Sequence, residues 1–377
     1  MKSKIVSLLL TSVAAYSADA LRSPGSVQVG PRSAASVVKE LSAPVLGLFT
    51  NAERNEVRAI VGVPGASLVS DPIVLPDGIG RIFLAPGQHW GVAEIANGSG
   101  LAIVFFDGAM PGRVFDVPRS LSQVDVMAFS PSGSAVILYS RASAKIETIL
   151  VSGQIVSNVV DYSEVDLDVS LLAIDDSASA PAVMTNDGSA YLLTREGAPQ
   201  LVLRGGALTA ATYLPRSTTL LIVDSSSGQL TAVDEILKSR SVRVLTPLMP
   251  EGTNLLQASL DARYLFVSTS GTRRAVRIDL AELELVSLDL PVDAASMQRM
   301  RNGNTFLFSA GAADPAWMLL GEESTLRAVF AARPVAEVTE EPQCNGALNI
   351  CGKQPAGLKA RPACRCSEYT LGREFGS

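Results

Sequence analysis

The acidic side chains of this chain recur at a similar phase. Asp77, Asp125, Glu164 with Asp166, Glu251 and Asp293 each stand just ahead of a strand-like run, and Arg81, Arg119 and Arg204 lie near them. Carboxylates gathered at one mouth could hold a hard cation such as calcium, which takes oxygen ligands, or a basic ligand. The plainer account is that loops leading into strands are polar because they meet water, with the arginines neutralising the acids. A hydrolytic reading draws on the same groups, with Glu164, Asp166 or Glu251 as acid or base and Arg204 stabilising an anion.

Other chemistry is thin. His89 is the sole histidine, so a Ser-His-Asp hydrolase, a multi-histidine metal site or a histidine phosphotransferase would rest on it alone. It ends Pro86-Gly-Gln-His89, beside Trp90, where a solvent-facing turn residue is expected. Gly205-Gly206 lacks the strand, spacing and lysine of a nucleotide cradle. Asn186-Asp-Gly188 and Asp224-Ser-Ser-Ser-Gly228 hold fragments of a calcium loop without the full ligand series, and read as turns. Cys344, Cys351, Cys364 and Cys366 are the only cysteines. In an oxidising compartment they most simply form two disulfides, with the connectivity open. A zinc site would need paired Cys-x-x-Cys units or a nearby histidine, and a third account makes this tail a non-native, out-of-frame end.

The elements that must position these groups follow from composition and repetition. Of the 377 residues, 47% are hydrophobic and 18% charged, which supplies a large core and no sign of general disorder. The net charge of −6 argues against a nucleic-acid partner, since phosphate recognition needs clustered Lys and Arg. Residues 1–20 run from Lys2 and Lys4 through an apolar centre to Ala18-Asp-Ala20, the order of a secretory signal peptide. No later apolar segment is long enough to span a bilayer, so the mature chain is expected in a periplasm or outside the cell. Residues 21–34, rich in Ser, Pro and Gly, read as a flexible lead-in.

From residue 35 to residue 334 a unit repeats. Its clearest copy is Val126-Met-Ala-Phe-Ser-Pro-Ser-Gly-Ser-Ala-Val-Ile-Leu-Tyr139, two apolar strands around a turn in which Pro131 fixes φ and Gly133 frees it. Equivalent positions fall at Pro44, Pro86, Pro131, Asp176, Pro215, Leu260 and Arg301, spaced by 42, 45, 45, 39, 45 and 41 residues. That band suits a four-stranded propeller blade. The runs Val136-Ile-Leu-Tyr139, Leu220-Leu-Ile-Val223 and Tyr264-Leu-Phe-Val267 suit strands buried on both faces. Lys145-Ile-Glu-Thr-Ile-Leu150 and Ala275-Val-Arg-Ile-Asp-Leu280 alternate and are expected nearer the rim. Only Thr231 to Ser239 and Ala281 to Glu284 carry a helical signal.

Phe129-Ser-Pro-Ser-Gly133 resembles the Phe-Ser-Pro-Asp-Gly turn of bacterial secreted seven-bladed β-propellers, the group of TolB-like, YVTN-type and WD40-like repeats, with Ser132 in place of Asp. Pro86-Gly87 and Asn302-Gly303 are weaker copies, and no Trp-Asp dipeptide closes a blade. The resemblance implies an all-β chain folded as a single propeller of seven four-stranded blades, followed by the cysteine-containing tail at residues 335–377. It says little about activity, because propellers host unrelated functions.

The reading that follows is an exported, non-enzymatic, monomeric scaffold for an unidentified protein or small ligand on its acidic face. The alternatives are a lactonase-like propeller hydrolase and a module of a larger envelope assembly. Ser36 to Leu41, or else Val335 to Val338, would supply the innermost strand of the first blade. Intact-mass measurement of the protein recovered from a secreting host is expected to give a chain that begins at Leu21; retention of residues 1–20 would remove the signal-peptide reading.

Overall fold

A computed structural model describes residues 43–333, apart from residues 52–54, 97, 99, 118–120, 122, 163–165, 196, 247–248, 310–314 and 322–324. The signal peptide, the lead-in, both candidate closing strands, Arg119, Glu164 and the four cysteines lie outside the described residues.

The six turn markers from Pro86 to Arg301 each reverse the chain, and consecutive strands pair antiparallel with their neighbours. Strands β1–β3 (Val45–Asn51, Glu56–Val63, Ala66–Ile73) precede five four-stranded meanders. These are β4–β7 (Ile79–Leu84, Trp90–Ile95, Leu101–Asp107, Met110–Asp116) and β8–β11 (Val126–Phe129, Ala135–Ser140, Lys145–Ser152, Ile155–Tyr162). Next come β12–β15 (Val169–Ala173, Ala182–Thr185, Ser189–Leu192, Gln200–Arg204) and β16–β19 (Leu208–Tyr213, Leu220–Asp224, Gln229–Asp234, Ser241–Thr246). The fifth is β20–β23 (Leu255–Ala258, Tyr264–Ser268, Arg274–Asp279, Leu285–Asp289). The last strands, β24–β27 (Gln298–Arg299, Thr305–Ser309, Ala316–Gly321, Leu326–Ala332), share a seven-stranded sheet with β1–β3. The join is short: β27 pairs in parallel with β3 through Ala331 with Ser67 and Ala332 with Leu68.

The architecture is an all-β propeller with no helix among the described residues. Five blades stand as separate four-stranded sheets, and the strands of both chain ends form the sixth sheet. The two helical signals are overruled by pairing. Thr231 to Asp234 belong to β18, in register with β17 and β19, and Ala281 to Glu284 form the reversal between β22 and β23, with Leu283 at φ 57°.

The core lies between sheets rather than inside any one of them. Ile137 and Tyr139 of β9 pack with Leu172 and Val183 of the next sheet, and Met184 and Leu192 pack with Leu220 and Ile222 of the one after. Tyr264 and Phe266 meet Phe306 and Leu319, the rings of Phe266 and Phe306 standing 4.4 Å apart. A second strand is thus covered on both faces, which is why all six residues of β9 and all five of β21 are buried.

The third strands are more buried than their alternation suggests. Glu147 in β10 is buried because Lys145 Nζ, 2.9 Å away, neutralises it while also bonding Asp161 at 2.8 Å. Arg277 in β22 lies over the Tyr264 ring at 4.7 Å. The rim is formed by the fourth strands, which expose Met110, Val114 and Phe115 in β7 and Val242 and Val244 in β19.

Turn geometry holds neighbouring sheets close at one point that tests this account. Gly133 has φ 74°, and a Cβ there would overlap the Pro86 carbonyl of the adjacent sheet. Gly153, at φ 60°, has open space around it. In urea denaturation Gly153→Ala is expected to cost about 1–2 kcal/mol for its backbone alone, and Gly133→Ala about 3 kcal/mol, since overpacking adds to the same backbone term. Equal costs would show that the sheets do not meet at this turn.

Candidate functional site

Six turns join first to second strands, and they share one hydrogen-bond pattern. The last residue before each turn accepts at its carbonyl from the N–H three residues on: Ala85 from Gln88, Ser130 from Gly133, Asp175 from Ala178, Leu214 from Ser217, Ser259 from Ala262 and Met300 from Gly303. In five of the six its own N–H donates to the carbonyl five residues on, as Ser130 does to Ala135 at 2.9 Å. The markers Pro86, Pro131, Asp176, Pro215, Leu260 and Arg301 are each the second residue of this turn. Gln88, Gly133, Ala178, Ala262 and Gly303 take the left-handed conformation at its fourth position, and Arg216 does so at its third. Three turns add a side-chain acceptor for the amide five residues on: Ser130 for Ala135 at 3.0 Å, Asp175 for Ala180 at 2.6 Å and Ser259 for Tyr264 at 2.9 Å.

Neighbouring turns are bonded to one another. Trp90 Nε1 donates to the Gly133 carbonyl at 2.7 Å. Ser132 N–H and Arg216 N–H donate to the two carboxylate oxygens of Asp176, at 2.7 and 2.8 Å, so this one acid links three consecutive sheets. The Arg301 guanidinium donates to the Gln88 carbonyl at 2.8 Å and the Gly108 carbonyl at 2.7 Å, which ties the last sheet to the first separate one. His89, exposed on this turn face, is the solvent-facing residue its position suggests. Partial desolvation, and then the Arg301 charge, hold its imidazole below the usual range.

The first strands of six sheets surround a central cavity of about 320 Å³. Its polar lining includes Ser130, Thr209, Thr212, Asn254, Gln257 and Gln298, and its apolar lining includes Met127 and Phe129. Arg299 forms its turn end. This side chain is 2% exposed, and its guanidinium donates to the Pro131 carbonyl and, at 3.4 Å, to the Ala258 carbonyl, so it ties three sheets across the channel. Burial brings its pKa down to about 10 against the opposing charge of Asp176.

Gln88, also fully buried, completes the inner edge of β1. Its Oε1 accepts from Leu48 N–H at 2.6 Å and its Nε2 donates to the Leu48 carbonyl at 2.8 Å, as a paired strand would. Sequence reasoning did not find Gln88 or Arg299. Met297-Gln-Arg-Met300 carries no turn or motif signal, and only a charged residue between two methionines hints at a special environment.

The acids stand on the opposite face, in the blade-to-blade loops where their phase places them. Asp77 lies between β3 and β4, Asp125 between β7 and β8, Asp166 between β11 and β12, Glu251 between β19 and β20, and Asp293 between β23 and β24, while Arg204 ends β15. All are exposed. Asp125 accepts from Arg141 N–H at 2.6 Å, and Asp293 pairs with Arg273 at 3.1 Å between two exposed side chains, a contact worth little. The Arg81 guanidinium lies 4.5 Å over the Phe83 ring. None of these loop acids, nor Arg204, lines the channel cavity. Among the described residues no group of three or more His, Cys, Asp or Glu is placed to hold a metal ion.

The two calcium-loop fragments are turns. Asp187 accepts from Thr185 Oγ1 at 2.5 Å and Ser189 N–H at 3.0 Å. Asp224 is the more heavily bonded, accepting from Gly206 and Ala207 N–H at 3.1 and 3.0 Å and from Ser226 and Ser227 hydroxyls at 2.6 and 3.0 Å. This also explains Gly205-Gly206: a Cβ on Gly206 would run into Ser226 Oγ. Burial alone would raise the Asp224 carboxyl, but these donors outweigh it and hold the group far below the usual carboxylate range.

The Asp224 stabilisation is therefore complete above the unfolded value near ~3.9 and is lost as pH falls towards the folded value. Asp224→Ala is expected to cost about 1–3 kcal/mol at neutral pH. Urea midpoints of native and variant chains should converge only in strong acid; a gap unchanged from neutral pH into that range would rule out this network.

No family model and no curated protein matches the chain. Solved structures do. Kuenenia stuttgartiensis hydrazine synthase aligns at 10% identity over 79% of this chain and 99% of that one, with a TM-score of 0.46. A functionally unknown protein from Desulfotomaculum acetoxidans DSM 771 aligns at 10% identity over 76% of this chain and 99% of that one, with a TM-score of 0.51. The likeness to the Desulfotomaculum protein extends to the fold and stops there.

Proposed function

We propose that this chain is an exported β-propeller scaffold that holds a ligand at its central channel and performs no chemistry of its own. The observation that carries the reading is the cavity of about 320 Å³, walled by first strands of six sheets and closed at one end by Arg299. A concave site of this size with a few placed polar groups is where proteins receive small molecules. The blade count in this reading is seven. Its support is that β1–β3 and β24–β27 also pack face to face, with Phe49 and Ile60 against Leu307 and Met318, despite their edge pairing. The recurring turn supports a place among the secreted TolB-like and YVTN-type repeats, and export rests on the order of charged start, apolar centre and Ala18-Asp-Ala20.

Thermal melts against a panel of small molecules test the channel, with Ala211→Phe as the blocked control because Ala211 lines the cavity. A true ligand at a hundredfold excess over its Kd is expected to raise the midpoint by about 5 °C in the native chain and not in the blocked one. Hits that act equally on both chains would place binding elsewhere. Calcium and chelator arms run in the same melts: a calcium shift abolished by Asp125→Asn would move the site to the loop face.

A further inference from the structure

We infer that the channel is a binding site for a small carboxylate or phosphate anion, held against Arg299; this rests on the reading of the channel as a ligand site. Of the nineteen described residues that line the cavity, Arg299 is the one whose side chain carries a charge. The loop acids Asp77, Asp125, Asp166, Glu251 and Asp293 stand outside these walls. Among the described residues Arg299 makes no ion pair: its acceptors are the neutral carbonyls of Pro131 and Ala258. Asp176 is the acid whose charge reaches it, and both of that carboxylate's oxygens are occupied by Ser132 and Arg216 N–H groups.

A buried cation that no described carboxylate pairs with directly is costly, and a guanidinium has more donors than two carbonyls use. An anion in the cavity would supply the missing charge, and the planar guanidinium suits carboxylate and phosphate oxygens better than other acceptors. The neutral polar lining adds donors without adding competing charge. The Gln257 side-chain amide is half-buried and bonds no described residue, which leaves it free for a ligand. Asn254, in contrast, already spends its Oδ1 on Ser270 N–H at 2.8 Å. The same field disfavours metal cations in the channel.

Melts with succinate, phosphate and uncharged succinamide at constant ionic strength test the assignment. Succinate or phosphate is expected to raise the midpoint with concentration, and succinamide to leave it unchanged. Apparent affinity should fall at least about tenfold in Arg299→Met, the equivalent of about 1.4 kcal/mol. Because that variant also loses two carbonyl contacts, Gln257→Leu serves beside it; its side chain bonds no described residue, and a similar weakening is expected. No anion shift in the native chain, or an anion shift undiminished in both variants, would overturn the proposal. If a neutral molecule shifts the native chain but not Ala211→Phe while anions do nothing, the scaffold reading stands and the anion assignment fails. If no molecule distinguishes Ala211→Phe from the native chain, both fail.

Discussion

The structure depends on a reversal of four residues that ends each first strand and aims the next strand back across the sheet. The turn is short, so one of its last two residues is forced to φ > 0, the fourth in five of the six, and glycine supplies this cheaply at Gly133 and Gly303. Elsewhere the conformation is imposed on Gln88, Ala178 and Ala262, where a Cβ makes it costly and the surrounding hydrogen bonds must hold it. The turn fixes where each second strand begins. That strand's apolar run then has only one place to go, between the sheets on either side.

Linking the turns to one another converts a row of meanders into one body. Asp176 does this with a single carboxylate shared by two backbone amides from different sheets, while Trp90 and Arg301 do it through carbonyls. Charge is thereby sorted. Carboxylates that could have faced the channel are spent on turns, as at Asp175, Asp176 and Asp224, or stand on loops in water, as at Asp77 and Asp166. Among the described residues that line it, the channel keeps one buried guanidinium in an otherwise neutral wall.

The joint between the chain's two ends shows how an unpaired strand edge is managed. The inner edge of β1 is met by the side-chain amide of Gln88, which offers one donor and one acceptor in the spacing of a peptide group, and by Arg301 N–H, which donates to the Leu46 carbonyl at 3.1 Å. The outer edge of β3 takes the two-residue parallel pairing with β27. Both devices join distant parts of the chain.

The sequence by itself determined the all-β class, the repeat of about 39–45 residues, the turn at the six markers from Pro86 to Arg301 and the buried second strands, because each is written in neighbouring residues: an apolar run, a fixed φ, a permissive φ. It also placed Asp125, Asp166, Glu251 and Asp293 in the loops ahead of first strands. Only the tertiary structure decided that the acids stay outside the cavity walls and that Arg299 closes the channel against Pro131, 168 residues away along the chain. It also decided that Gln88 stands in for a strand beside Leu48. Those outcomes rest on contacts between residues far apart in the chain, whose local surroundings carry no periodicity or motif. They exist only once the sheets have packed and brought backbone carbonyls from different blades to the same axis.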